Sequence, residues 1–421
     1  MRAYHHEKAA LVLSRQIIAV LRGYSRTMNH SAHSGFDWLK DSGFGLPFDQ
    51  IATHASALVV PFRRGKRNKA GFEMGVFSET GEVLPHTEMH TLGRLAAPSE
   101  AGRRAALDGA GHLKGTWLFC GLASAGFGHS LTRSLGILWA LERLPGDIGL
   151  LFGSKISQQT HHPVLTQLLH NMGFNNDRLV LKRPAHVDHL VTAPNLFSEA
   201  NKAVATPEFV CWSRDRITPK YDRRRRRKVY LTRSRLSPCL GRYLNEDVLE
   251  KNLEKSGFEI VAPETLNLSD QLRLFAEAET IVAAEGSALH LIPFSMRTSA
   301  KLVVIQRRSD VPVLIQNQIN SFCPASAHFI DAIDRVYWPQ ERADNLSLVR
   351  LDFQKLRAAL IDCGVVKSDA YWAEPNKDEE QDSLYAGRSR SERFLSNEER
   401  IVFIRELRNK RRERRQARLS A

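Results

Sequence analysis

From Thr116 onward the chain alternates short, continuous apolar runs with longer stretches whose apolar positions recur at helical spacing. TWLFCG predicts a buried strand, LASAGFG a glycine- and serine-rich turn, and HSLTRSLGILWALERL a helix. IGLLFG predicts a second strand, HPVLTQLLHNMGF a helix stopped by Gly173, and RLVLK and HVDHLVTAP further short strands. Residues 213–228, SRDRITPKYDRRRRRK, have no apolar periodicity and mark a boundary. KVYLTRS then opens a second series: helix 244–256, strand 258–261, helix 269–277, strand 280–284, helix 286–295 and strand 301–306. VPVLIQNQI, AHFIDAI and a helix across 346–363 close it. Strands alternating with helices predict βαβ units and parallel sheets. Residues 1–110 are less regular, with an amphipathic helix near 8–22, glycine-, serine- and histidine-rich loops at 29–46 and a hairpin around Thr80–Gly81. The domain plan is an irregular N-terminal region (1–110) joined to a first α/β domain (111–212), a basic linker (213–228), a second α/β domain (229–372), and a charged tail (373–421), either helical or disordered.

At 421 residues the chain is long for a single core, and its 43% hydrophobic content fits a folded protein. No window reaches the apolar length of a membrane span, and MRAYHHEKAALVLSRQIIAVLR is too polar for a signal-peptide core. The five cysteines, Cys120, Cys211, Cys239, Cys323 and Cys363, are scattered, which points to a reducing compartment and a cytoplasmic location. The net charge of +14 is concentrated in the six cations of Arg223–Lys228 and in the tail from Gly387, where twelve Arg/Lys face five Glu. The rest of the chain is close to neutral, unlike a domain that spreads positive charge over one face to bind nucleic acid.

In residues 229–305 polar residues gather where strands end and helices begin, the edge at which open α/β sheets bind ligands. Glu285-Gly286-Ser287 stands out. The apolar strand TIVAA ends in a carboxylate, then a glycine allows close backbone approach and a helix start presents free N–H groups. Neither a P-loop nor a GxGxxG after an early strand is present, and GFGHS is only a partial echo of the latter. His161-His162 and His186/His189 do not have metal-ligand spacing, so no metal site is expected.

The second domain resembles glycosyltransferase family 61. The resemblance is carried in order by Thr232-Arg233-Ser234-Arg235, Arg242 with Asn245-Glu246, Gly257-Phe258, Asp270-Gln271 and Ala284-Glu285-Gly286-Ser287-Ala288-Leu289; upstream, GFGHSLTRSLGILWAL is similar to the family's histidine-bearing helix. It covers about 120–310, and it departs from several eukaryotic members, which have His-Gly where this chain has Glu285-Gly286. The resemblance implies a GT-B-like α/β fold, two Rossmann-type domains facing across a cleft. It implies inverting, metal-independent transfer from a nucleotide-sugar held mainly by the second domain, with no further cofactor. The acceptor would be a glycan or lipid-linked molecule of surface polysaccharide biosynthesis.

A diphosphate leaving group needs cations and helix N-termini to meet its charge. On this reading Arg233 and Arg235 bind phosphate oxygens; as plain surface residues they would pair with Glu246 or Asp247. Arg242 and Glu246 orient the phosphate loop, or Asn245 caps a helix and Glu246 favours its positive end. Gln271 bonds the nucleotide or caps its helix. Glu285 accepts sugar or ribose hydroxyls as a catalytic-site carboxylate, Gly286 and Ser287 approach the donor, and His290 lies one turn on or packs in the core. His129 is the expected base for the acceptor hydroxyl, with Arg133 one turn along binding phosphate or an acidic acceptor. The basic tail would hold the protein at the anionic inner face of a membrane. Two other classes stay open, a nucleic-acid-associated protein using the arginine runs and a non-catalytic transferase-like fold.

Overall fold

Strand order within two sheets, one mixed and one parallel, decides where the site lies. The computed structural model describes residues 45–420 apart from 64–72, 92–93, 97, 99, 108, 155–159, 199–201, 219–220, 223, 238–239, 309–312, 324–326 and 341–346. The helix expected near 8–22, nearly all of the 29–46 loops, and Cys239 lie outside the described residues.

Strands β1 (Ala52–Arg63) and β2 (Glu73–Phe77) are antiparallel. The expected hairpin follows β2: Ser78 N–H donates to Glu82 O, and Gly81 turns the chain at φ +91°. A small ribbon, β3 (Met89–Thr91) and β4 (Arg94–Ala96), precedes helix α1 (Glu100–Leu107). Strands β5 (Gly111–Leu122), β6 (Gly149–Gly153), β7 (Arg178–Leu181) and β8 (Ala185–Thr192) complete a six-stranded sheet, order β2-β1-β8-β5-β6-β7. The four later strands are mutually parallel, and β1 runs antiparallel to β8. Residues 52–77 therefore extend the first domain's sheet.

The helix expected after β5 is divided. Helix α2 (Phe127–Ser134) passes into a 3-10 helix over Leu135–Glu142. Leu196 N–H donates to Gly136 O, and a Cβ on Gly136 would lie 2.1 Å from Asn195 Oδ1, so the 195–197 segment crosses at that glycine. A carbonyl drawn to a crossing chain is lost to the α-helical ladder. Helices α3 (Pro163–Asn171) and α4 (Pro207–Ile217) follow. Helix α4 runs into the stretch read as linker: Ser213 and Arg214 are buried, and Arg214 Nη1 donates to Met296 O at 2.9 Å.

The second sheet comprises β9 (Arg227–Leu231), β11 (Glu259–Val261), β12 (Ala278–Ala284), β13 (Lys301–Ile305) and β14 (Ala327–Ile330), all parallel, in the order β11-β9-β12-β13-β14. Counted along the chain this is 2-1-3-4-5, a doubly wound order that reverses between β9 and β12. Helices α5 (Glu246–Lys255) and α6 (Leu268–Glu277), α7 (Ile292–Ser295) and α8 (Val313–Phe322) form its crossovers. Between β12 and α7 the expected helix start is a 3-10 turn, Ser287–His290. Strands β10 (Arg242–Tyr243), β15 (Ile333–Pro339), β16 (Leu348–Leu351) and β17 (Phe394–Leu395) form a third sheet. The helix read across 346–363 is corrected: β16 pairs with β10 and β15, and Asp352 caps α9 (Phe353–Asp362) by accepting from Lys355 N–H at 2.9 Å. The tail holds helices α10 (Lys377–Tyr385) and α11 (Asn397–Ser420).

Side chains alternate along the central strands of the second sheet. Val229, Leu231, Ile281, Ala283, Leu302 and Val304 face a core shared with the first sheet, which includes Leu118, Leu150 and Val191. Tyr230, Val282, Val303 and Ile305 face a second core with α5, α9 and Trp338. Phe197 and Phe209 from the first half pack on Phe294 and Phe322 from the second, centroids 5.1–6.5 Å apart within the group. Among the described residues no helix is long and apolar enough to cross a membrane.

Candidate active site

The carboxyl ends of β9, β12 and β13 bring together Arg233, Glu285, Gly286, Arg307 and Arg308, at the point where the strand order reverses. The Arg233 guanidinium donates from Nε and Nη2 to Gly241 O at 3.1 and 2.9 Å. It lies against Gly286, where a Cβ would sit 2.3 Å from its Nη1. Arg307 occupies the other side of Gly241, and a Cβ there would lie 2.3 Å from Arg307 Nη1. Two glycines thus leave the space that two guanidinium groups fill.

Glu285 is fully buried. Its Oε2 accepts from the backbone N–H groups of Arg307 (2.9 Å) and Arg308 (3.2 Å), and its Oε1 accepts from Arg308 Nε (2.6 Å) and Nη2. The carboxylate fixes the turn after β13. Arg307 is 7% exposed, donates from Nη1 to Ser347 Oγ at 3.0 Å, and has no partner for Nε among the described residues. Burial, and then the charge of Arg233, pull its guanidinium down to about 10, against the opposing pull of Glu285. Three arginines and one carboxylate leave an excess of positive charge in a largely dry setting, which favours an anion.

Glu246 braces the β9 end of this group. Buried at the start of α5, it accepts from Tyr230 Oη (2.8 Å), Thr232 Oγ1 (3.0 Å) and Arg233 N–H (2.8 Å), and burial raises its pKa. Asn245 holds the N-cap position in the left-handed region (φ 55°) without a side-chain cap bond; its N–H donates to Ser383 Oγ at 2.9 Å. Arg242 points towards the tail, donating to Ser383 O and Ala386 O at 2.9 and 3.2 Å. Gln271 donates to Leu266 O at 3.1 Å, and the cap of α6 is Asn267 rather than Gln271. Arg235 and Ser287 are exposed at the same sheet edge as Arg233. Thus Arg233, Glu246, Glu285 and Gly286 come together, while the Arg242 side chain reaches the C-terminal segment and the Gln271 side chain stays with its own loop.

The first sheet meets this edge through α2. The 3-10 turn Ser287–His290 packs on α2, and a Cβ on Gly128 would come within 2.3 Å of His290 Cδ2 and 2.7 Å of its Nε2. His129 is exposed on α2, and Arg133, one turn on, is 8% exposed. The Phe127 and His162 rings meet edge to face at 5.4 Å, and His162 Nδ1 accepts from Val164 N–H to cap α3. Its neighbour His161 packs on Phe152, and burial together with Arg178 lowers its pKa to about 4. Among the described residues no group of three or more His, Cys, Asp or Glu converges to hold a metal ion.

Sequence reasoning passes over Arg307, Arg308, Gly241 and Gln318. The signal for the two arginines is the strand-end rule itself, since VVIQRR ends an apolar strand in two cations. Gly241 and Gln318 have no sequence signal; only the fold brings them to the edge. The described part of the cationic run, Arg224–Lys228, lies at the opposite, amino-terminal end of the second sheet. There Arg225 pairs with Glu277, and Arg227 with Glu259 and Glu277.

The family model described as Glycosyltransferase 61 matches residues 127–303, from the first turn of α2 into β13. It spans every candidate site residue named from the sequence and stops just short of Arg307. No curated protein matches the chain. Residues 127–303 are a glycosyltransferase family 61 domain, and the chain that contains them is a glycosyltransferase.

Proposed function

We propose that this glycosyltransferase uses a nucleotide-sugar donor and works by inversion without an obligatory metal, transferring to a glycan or lipid-linked acceptor in surface polysaccharide biosynthesis. The donor diphosphate rests at the switch point of the second sheet, on Arg233, Arg307 and Arg308, with Gly286 giving it backbone approach and Ser287 and Arg235 at the rim. Glu285 and Glu246 hold the arginines and the β9 turn, and guanidinium charge serves the leaving group. The acceptor enters from the α2 side, in a GT-B-like arrangement of two Rossmann-type halves. Glu259 and Glu277, paired with Arg225 and Arg227, reduce what the arginine run could offer a nucleic acid.

The observation that carries this reading is Arg307, a buried guanidinium beside Arg233 with a lowered pKa and, among the described residues, no partner for its Nε. A bound native-state ligand raises the melting temperature by mass action. Nucleoside diphosphates and nucleotide-sugars are therefore screened by thermal shift. At least one is expected to stabilise the wild type by several degrees, and Arg307→Ala is expected to lose that shift. If none stabilises it, the donor site is elsewhere or absent.

A further inference from the structure

One histidine at the contact between the two halves has its ring fixed by a buried amide. Gln318, fully buried on α8, donates from Nε2 to the backbone carbonyl of His290 at 2.8 Å. A carbonyl oxygen only accepts, so the other end of the amide, Oε1, faces His290 Nδ1, at 2.6 Å. An acceptor at that distance requires a proton on Nδ1. The neutral imidazole then has its lone pair on Nε2. That edge of the ring, Cδ2 and Nε2, is the one that lies over Gly128 at the start of α2.

Its place along the chain ties the same residue to the arginine group through one short turn. His290 ends the 3-10 turn that begins at Ser287, and residues three apart in such a turn stack on one face. Gly286, immediately before the turn, touches Arg233. A sugar whose diphosphate lies on Arg233 and Arg307 would have its reacting carbon within reach of this face, with the acceptor arriving along α2.

We infer that His290, through Nε2, is the base that takes the acceptor's hydroxyl proton, and that Gln318 is the positioning residue that sets its tautomer. This rests on the single-displacement reading proposed above and gives the role expected of His129 to a different residue. In the step, the acceptor O–H proton moves to Nε2 and the acceptor oxygen bonds to the sugar's anomeric carbon. The bond from that carbon to the phosphate oxygen breaks, and its electron pair leaves with the diphosphate, towards the arginines. The imidazolium then returns its proton to solvent. Gly128 is required by the geometry, because any side chain there would occupy the space of the ring.

Three measurements on the full chain test this. Long-range 1H–15N correlation on histidine-labelled protein, with His290→Gln used to assign the signal, is expected to show a protonated Nδ1 and a bare Nε2 at pH 8. A protonated Nε2 overturns the inference without reference to any substrate. With the nucleotide-sugar that stabilises the wild type, His290→Gln is expected to lower kcat about 100-fold or more while keeping the donor-induced thermal shift. Gln318→Glu places a carboxylate against Nδ1 and is expected to move the acid limb of the kcat–pH profile upward by about one unit. A merely structural glutamine would lower kcat or stability without moving that limb, and that result also overturns the assignment. If no nucleotide-sugar binds the wild type, the donor reading falls and this inference with it. If the donor binds and His290→Gln turns over like wild type, this inference alone falls.

Discussion

Burial gives individual side chains here chemistry that their sequence neighbours do not announce. Glu285 reads as a ligand-facing carboxylate at a strand end, yet both its oxygens are spent on Arg307 and Arg308; Glu246, read as orienting the phosphate loop or favouring a helix start, turns one oxygen to Tyr230, Thr232 and Arg233. His161 is the clearest titration prediction. Its pKa is lowered to about 4 by burial and Arg178. Between that value and its unfolded value near 6.5 the unfolded chain therefore binds more protons, and stability falls as pH drops through this window. The loss expected is on the order of 2 kcal/mol. His161→Phe keeps the contact with Phe152 and removes the proton, so urea unfolding at pH 7 and pH 4 should show a smaller acid loss than wild type. An unchanged difference between the two pH values would exclude His161 as its source.

Single residues also decide where elements begin and stop. Asp352 starts α9 and so separates it from β16, in a stretch whose apolar content reads as one helix. Gly136 turns α2 into a 3-10 helix because the 195–197 segment passes over its Cα. A Cβ at that position would meet backbone atoms, Phe197 O at 2.3 Å and Phe197 N at 2.5 Å, which cannot swing aside as a side-chain tip can. Gly136→Ala is thus expected to cost about 3 kcal/mol, at the upper end of overpacking effects. Chemical denaturation of the variant measures it. A loss below about 0.5 kcal/mol would mean the crossing is loose.

Across the whole molecule, the two halves share one core through Phe197, Phe209, Phe294 and Phe322, and the tail is built onto the second half. Arg242 holds the end of α10, Trp338 Nε1 donates to Asn397 Oδ1 at 2.7 Å, and the Arg400 guanidinium lies 3.8 Å from the centroid of the Trp338 ring. Cutting the chain at Glu374 would therefore remove packed structure along with charge. A cut after Asn409 removes mainly cations, Lys410, Arg411, Arg412, Arg414, Arg415 and Arg418 against Glu413. Exposed Ile401, Val402 and Leu407 remain on α11. Each cation near an anionic surface is worth about 1 kcal/mol. Sedimentation with phosphatidylserine-containing vesicles is expected to be at least tenfold weaker for the shortened chain, and weaker for both at high salt. Equal sedimentation would remove the tail from any membrane role.

The sequence by itself determined the two α/β series, most of their strands, and the edge on which the chemistry gathers, because continuous apolar runs and helical periodicity are local signals. It also marked Arg233 and Gly286, each two residues past the end of its strand. Tertiary structure alone decided the order 2-1-3-4-5, the joining of residues 52–77 to the first sheet, and which carboxylates face inward. It likewise set Arg307 against Gly241 and Gln318 against His290, pairs separated by 66 and 28 residues. The physical reason is that burial and hydrogen-bond direction depend on what crosses a residue from elsewhere in the chain, and no local pattern encodes that crossing.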